Sequence, residues 1–154
     1  MLIDKKKIIF EEMTAKHIED LVLIEKASFS KPWTYKGFEA ELTNDTAYFL
    51  TAVYEGKAIG YIGLHTILDE GYIANIAVLP QYRRNGIGEM LLREIINYSN
   101  KKNLCFITLE VRKSNVAAIA LYRKFGFETV GERKNFYSAP QEDGLIMTLQ
   151  FDKK

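Results

Sequence analysis

A chain of 154 residues can bury one hydrophobic core without disulfide or metal staples, and its 47% apolar and 27% charged content is that of an ordinary globular protein. A formal net charge of +1 gives no long-range field to draw in nucleic acid or an anionic membrane, and a single cysteine, Cys105, excludes an internal disulfide and a cysteine metal cluster. His17 and His65 are not spaced with other plausible ligands, so no metal is expected; no signal peptide or membrane-spanning run is visible, and the expected location is the cytoplasm.

Lys7 to Met13 reads as a short strand of β-branched and aromatic residues, and Thr14 can cap the helix that follows. In that helix Ile18, Leu21, Val22 and Ile24 crowd one side while Glu19, Asp20 and Lys26 fill the other. It ends near Phe29-Ser30-Lys31-Pro32-Trp33, where proline and its predecessor resist helix. A short helix over Tyr35 to Leu42 comes next. Tyr48–Tyr54 and Ala58–Ile67 are strands joined as a hairpin at Glu55-Gly56-Lys57. Tyr72–Leu79 is almost continuously apolar, as a central strand should be. Ile87, Leu91, Ile95 and Tyr98 then recur on one face of a helix that stops at Lys101-Lys102-Asn103. Leu104–Val111 reads as a buried strand in which Cys105 is a small hydrophobe. Ser114-Asn115 opens a helix that carries Ala117, Leu121 and Phe125 towards the core and closes at Gly126. Phe127–Gly131, with an extension to Tyr137 left open, and Leu145–Phe151 are the last strands. The order (strand, two helices, three strands, helix, strand, helix, two strands) predicts a one-domain α/β chain over residues 1–154 with a mixed sheet and helices on both faces.

The most informative stretch runs from Ile76-Ala77-Val78-Leu79-Pro80 through Gln81-Tyr82-Arg83-Arg84-Asn85-Gly86-Ile87-Gly88 into Glu89. A strand, a proline stop, a basic turn with two glycines and a helix start follow one another. Gly86 and Gly88 let successive N–H groups point into one space, and the helix adds its unpaired N–H groups and the positive end of its dipole. This suits a polyphosphate, although a tight turn with a solvated basic edge has the same spelling. A Walker loop is absent, and the third small residue of a dinucleotide fingerprint is replaced by Leu91. Glu110 lies near the distance for a ribose-binding acid, so that alternative stays weakly open. Arg83-Arg84-Asn85-Gly86-Ile87-Gly88 resembles the pyrophosphate loop of the GNAT family of N-acetyltransferases, which also joins a strand to a helix.

Moving an acetyl group from a thioester to an amine requires a held acyl carrier, an amine that loses its proton and a thiolate that gains one. A free α-amino group has a pKa of about 7.7–8.0, so a modest base or a water relay suffices. Glu110, at the end of a buried strand, is the candidate base, since partial desolvation there would favour its taking a proton; the bland alternative is a carboxylate paired with Arg112 or Lys113. Tyr122 is the candidate acid. Positions 115, 118 and 122 share a helix face, so Asn115 and Tyr122 can line one groove with the small Ala118 between them. A half-buried tyrosine packed on the sheet is the alternative.

The segment from Leu109-Glu110-Val111-Arg112 through Ser114-Asn115, Leu121-Tyr122 and Gly126-Phe127 resembles the block of the GNAT branch that acetylates the N-terminal alanine of a small-subunit ribosomal protein. The resemblance implies a central mixed, twisted sheet of about seven strands flanked by about four helices. It implies acetyl-CoA as co-substrate, with Glu110 as base and Tyr122 as acid. It assigns cofactor contacts to Ile76, Ala77, Val78, Arg83, Arg84, Asn85, Gly86, Ile87, Gly88, Glu89 and Asn115, the backbone of 76–78 pairing with the pantetheine amides as an added strand would. Trp33, in a Phe-x-x-Pro-Trp segment, and Tyr137, as a lid, are implied to face the peptide, although a core anchor and a loop aromatic are their plainer readings. The implied partner is the N-terminal segment of that ribosomal protein, with no nucleic acid and no membrane, and the implied state is a monomer or weak dimer. The match runs from about Thr14 to Leu149 and departs before Lys7 and at Lys134, Phe136 and Ser138, positions that bear on peptide choice and not on acyl chemistry. Acetylation of another amine (a small molecule, an antibiotic or a lysine) and a non-catalytic CoA-binding module are the alternatives. The pairing of Glu110 with Tyr122 argues against the second.

Overall fold

The structure, a computed structural model, describes residues 2–152. Strands β1 (Ile9–Glu12), β2 (Ala47–Tyr54), β3 (Lys57–Ile67), β4 (Glu70–Val78), β5 (Phe106–Arg112), β6 (Glu128–Tyr137) and β7 (Glu142–Gln150) form one sheet in the order β1-β2-β3-β4-β5-β7-β6. The helices are α1 (Ile18–Ser28), α2 (Tyr35–Glu41), α3 (Ile87–Lys101) and α4 (Val116–Lys124). β4 and β5 run parallel while β1–β2, β2–β3, β5–β7 and β6–β7 run antiparallel, so the sheet is mixed and the elements follow the predicted order. No helix among the described residues is long and apolar enough to cross a membrane. By their contacts the residues group into two compact units, 1–65 with 74–98 and 66–73 with 99–154.

In the first unit, Tyr54 pairs with Lys57, so Glu55 and Gly56 alone make the β2–β3 turn, at φ 51° and 80°. Two left-handed residues are what a tight hairpin needs to follow the twist of its strands. α1 buries Ile18, Leu21 and Ile24 completely and leaves Leu23 exposed, a stripe at helical period. It stops where Phe29 turns extended, at φ −133° and ψ 147°. Those side chains join Met13, Phe38, Phe49, Tyr61 and Ala77 in the core, with Phe38 edge-on to Tyr61 at 5.4 Å. α3 buries Ile87, Leu91 and Ile95 as its periodicity predicts, and Tyr98 stacks flat on Tyr48 at 3.8 Å.

In the second unit, β7 lies antiparallel between β5 and β6, and Glu70–Tyr72 of β4 pairs with Phe106–Thr108. α4 turns a different face inward from the one the sequence suggests. Ile119 and Tyr122 are buried, whereas Ala117 is exposed and Leu121 and Phe125 are only half-buried. Asn115 caps the helix, Ile119 and Tyr122, three residues apart, make its inward stripe, and the methyl group of Ala117 has little area with which to compete. Cys105 is likewise not a buried hydrophobe: it precedes β5, half-exposed, and its thiol donates to Asp69 Oδ2 at 2.8 Å.

Gly63 faces Phe49 across the β2–β3 ladder, and a Cβ there would lie 2.5 Å from Phe49 Cζ. The ring is held by Trp33, Phe38 and Tyr61 and has no free direction to yield. Gly63→Ala is therefore expected to lower stability by about 1–3 kcal/mol. An unshifted denaturant midpoint would show that the aromatic cluster gives way freely.

Candidate active site

β4 ends at Val78, Pro80–Tyr82 form one 3₁₀ turn, and α3 begins at Ile87. Arg84 and Gly86 both have positive φ, 66° and 75°, so left-handed residues alternate with ordinary ones and turn N–H groups to one side. A side chain at Gly86 would be strained, and among the described residues, its chain neighbours apart, Lys5 Nζ lies 3.6 Å from its Cβ position. Asn85 braces the loop from within: it is buried, and its amide donates to the carbonyls of Tyr82 (2.9 Å) and Arg83 (3.2 Å). Arg83 folds back, its Nε donating to the Val78 carbonyl (3.0 Å) and its guanidinium to Ser28 Oγ (3.1 Å), while Arg84 stands exposed. Ile87 is buried beneath, and Gly88 and Glu89 sit in the first turn of α3.

The same unit holds a fully buried carboxylate that no sequence motif singles out, Glu25. Glu25 accepts the Trp33 backbone N–H at 2.8 Å, the Tyr61 hydroxyl at 2.5 Å and the Asn75 amide at 2.9 Å. Asn75 also donates to Tyr61 Oη at 3.1 Å, and its carbonyl oxygen takes the Ile76 N–H at 3.1 Å. Burial pushes the Glu25 carboxyl above its ordinary range, against the lowering effect of the Trp33 and Tyr61 hydrogen bonds. Burial and the nearby Glu25 carboxylate likewise push the Tyr61 phenol far up. Ala77 is packed into the core, and the Trp33 ring lies on Phe38 and Phe49 at 5.4 and 5.8 Å. Trp33 is thus at least a core anchor.

The second unit gathers the proposed acid and base. Glu110 is exposed rather than desolvated, and its partner is neither Arg112 nor Lys113 but Arg133, whose Nε lies 3.2 Å from Glu110 Oε1. Arg112 serves Glu142 at 3.2 Å and lies 4.6 Å over the Tyr137 ring, and Lys113 serves Glu132 at 2.8 Å. Each of these basic side chains is drawn to the carboxylate on a facing segment rather than to its sequence neighbour. Tyr137 ends β6 and is half-buried; burial, then the charge of Glu110, pushes its phenol up to about 12, with Arg112 opposing. Tyr122 is buried against Phe127, and burial, aided by Tyr137, holds its phenol well above the tyrosine range. Tyr137 thus lies within electrostatic range of both Glu110 and Tyr122. Asn115 is the cap of α4, its side-chain oxygen accepting the Ala118 N–H at 3.2 Å. Glu142 accepts the Ser114 N–H at 2.6 Å and so ties the start of β7 to the turn before α4. No group of three or more His, Cys, Asp or Glu side chains among the described residues could hold a metal ion.

The first unit carries a strand, a glycine-bent loop and a helix start, and the second carries a carboxylate and two tyrosines with raised phenols. Residues 18–127 match the model described as the Acetyltransferase (GNAT) family, and the chain belongs to that family. A Bacillus subtilis protein, provisionally named a ribosomal protein bS18-alanine N-acetyltransferase, is 39% identical over 150 residues, 97% of this chain and 99% of its own. The crystal structure of the ribosomal-protein-S18-alanine N-acetyltransferase from Escherichia coli aligns with a TM-score of 0.88 at 31% identity, covering 96% of both chains. A GNAT family acetyltransferase from Elizabethkingia anophelis, solved with acetyl-CoA bound, aligns with a TM-score of 0.77 at 26% identity over 96% of this chain and 100% of that one. The seven-stranded mixed sheet with four helices is the family's fold.

The sequence did carry one sign of Glu25. It falls seven residues after Ile18 and four after Leu21, in phase with the apolar stripe, where a charged side chain needs partners. Its raised folded pKa fixes the sign of a pH effect. The folded carboxyl holds its proton more tightly than the unfolded one, so this group's contribution is fully present below about pH 4.5 and is lost as pH rises through the folded pKa. Glu25→Gln should abolish that slope and, by setting an NH2 group against N–H and O–H donors, cost about 1–3 kcal/mol near neutrality. Denaturation of both proteins across pH checks this, and parallel stability curves above pH 4.5 would mean that Glu25 is not the titrating group.

Proposed function

We propose that the chain is an acetyl-CoA-dependent N-α-acetyltransferase that modifies the N-terminal alanine of a small-subunit ribosomal protein, S18 by analogy with its relatives. The observation that carries the reading is the correspondence with the E. coli S18-alanine N-acetyltransferase over 96% of both chains. In this reading residues 1–154 act as one catalytic domain, a monomer or weak dimer, in the cytoplasm where ribosomal proteins are made. The 83–89 segment supplies N–H groups and the exposed Arg84 to the cofactor's pyrophosphate, and the backbone of Ile76, Ala77 and Val78 supports the pantetheine. Asn115 is the further cofactor contact, and Trp33 and Tyr137 face the acceptor peptide.

Transfer is direct. The amine nitrogen bonds to the acetyl carbon as the carbon–sulfur bond breaks, the amine proton passes to Glu110, and Tyr122 gives its phenolic proton to the leaving thiolate. Exposure of Glu110 supports its part, since an open carboxylate can take the proton directly or through one water. The electrostatic reach of Tyr137 to both Glu110 and Tyr122 supports the pairing of base with acid.

Incubation with radiolabelled acetyl-CoA and a panel of N-terminal peptides, lysine peptides and polyamines tests the substrate. Label should enter the alanine-initiated ribosomal peptide first; preferential labelling of polyamines would sink the reading. Glu110→Gln should lower turnover about 10²–10⁴-fold with acetyl-CoA affinity nearly intact, and the loss should shrink at high pH, where the amine is already neutral. Tyr122→Phe should not be rescued by high pH, because it lacks the proton donor. Pre-steady-state acetyl transfer measured across pH separates the two, and a Glu110→Gln protein that turns over at the parent rate at neutral pH would remove Glu110 as the base.

A further inference from the structure

The residues before β1 lie outside the span matched by the family, which starts at residue 18. They nevertheless have a fixed shape. Lys5–Lys7 form a 3₁₀ turn in which Asp4 Oδ1 accepts the Lys6 N–H at 3.1 Å and the Asp4 carbonyl accepts the Lys7 N–H at 3.0 Å. The Ile8 N–H closes on the Lys5 carbonyl at 3.2 Å, and Ile9 enters β1 opposite Val53. The turn presents Lys5 to the phosphate loop, its Nζ 3.6 Å from the position a Cβ would take on Gly86.

That placement brings like charges together. The Lys5 ammonium lies beside Gly86, one residue before the positive end of the 15-residue α3, and two like charges held together favour the entry of an anion. Arg83, the other cation of the motif, is committed to the Val78 carbonyl and Ser28. We infer that Lys5 is a further cofactor-binding residue, whose ammonium pairs with the pyrophosphate of acetyl-CoA at the 83–88 loop in the place Arg83 leaves open. The inference rests on the reading of that loop as the acetyl-CoA site. A compact ammonium on a flexible stem can follow a phosphate oxygen without the fixed planar geometry an arginine imposes.

Calorimetric titration of the full chain and of its Lys5→Ala, Lys5→Arg and Lys6→Ala forms with acetyl-CoA and dephospho-CoA, at low and high salt, tests it. Lys5→Ala is expected to weaken binding of both ligands about five- to tenfold at low salt, with the difference shrinking at high salt as screening takes over. Lys5→Arg should keep most of the affinity, and Lys6→Ala should bind like the parent. Equal binding by Lys5→Ala and the parent would overturn the role of Lys5 and leave the loop assignment standing. Equal weakening in Lys6→Ala would reduce the effect to bulk charge and overturn it too. Weakening confined to acetyl-CoA would place the ammonium on the 3′-phosphate, against the pyrophosphate. A parent that binds neither ligand would overturn the site itself.

Discussion

An ionised Glu25 can only accept hydrogen bonds, and its three partners are arranged so that each donates. The Trp33 backbone N–H has no other role, the Asn75 amide gives its hydrogens to Glu25 and to Tyr61 Oη, and the Tyr61 hydroxyl, having accepted from Asn75, points its proton at the carboxylate. Direction around the network is thereby fixed. A buried charge without partners is costly, whereas one with three donors in place ties together the segments that bring them. Here those segments are α1, the 29–33 stretch, β3 and β4. Asn75 turns its remaining oxygen to the Ile76 N–H, so the strand that leads into the 83–88 loop is linked through one side chain to Glu25 on α1.

Desolvation acts on Tyr122 and Tyr137 as well. Burial raises the phenols of Tyr122 and Tyr137, so both stay protonated across the working range of pH. A raised phenol is a weaker acid, which at first sight weakens the claim of Tyr122 to protonate a thiolate. The same physics acts on the thiolate, however: an anion formed in desolvated surroundings is itself destabilised and becomes a stronger base. Burial shifts donor and acceptor in the same direction, and the small gap between a thiol near 8.5 and a phenol near 10 need not widen.

Much of the fold was legible because strands and helices announce themselves by period. The near-continuous apolar run of β4, the glycine in the β2–β3 turn and the Ile87, Leu91, Ile95 stripe needed only local rules. The inward face of α4 was less legible, since Ala117, Leu121 and Ile119, Tyr122 are both helical spacings and only the packing of a particular sheet chooses between them. The loop at 83–88 was legible as a backbone shape, through Gly86, and much less so as a set of side chains. Nothing local says that Asn85 turns inward, that Arg83 folds back on Val78 or that Glu110 finds Arg133, because each partner is chosen by tertiary proximity. Lys5 lies 81 residues from Gly86 in the chain, and no spacing rule reaches that far.

A net charge of +1 excludes attraction at a distance, yet it says little about binding at a point. Screening erases charges that lie more than about 10 Å away in ordinary salt, so a phosphate group responds to the few cations and dipoles beside it and not to the sum over the chain. At Gly86 those are an ammonium and a helix end, while Glu11 and Glu142 are matched to partners of their own. A nearly neutral protein can in this way favour an anion at one turn while its net charge attracts none at a distance.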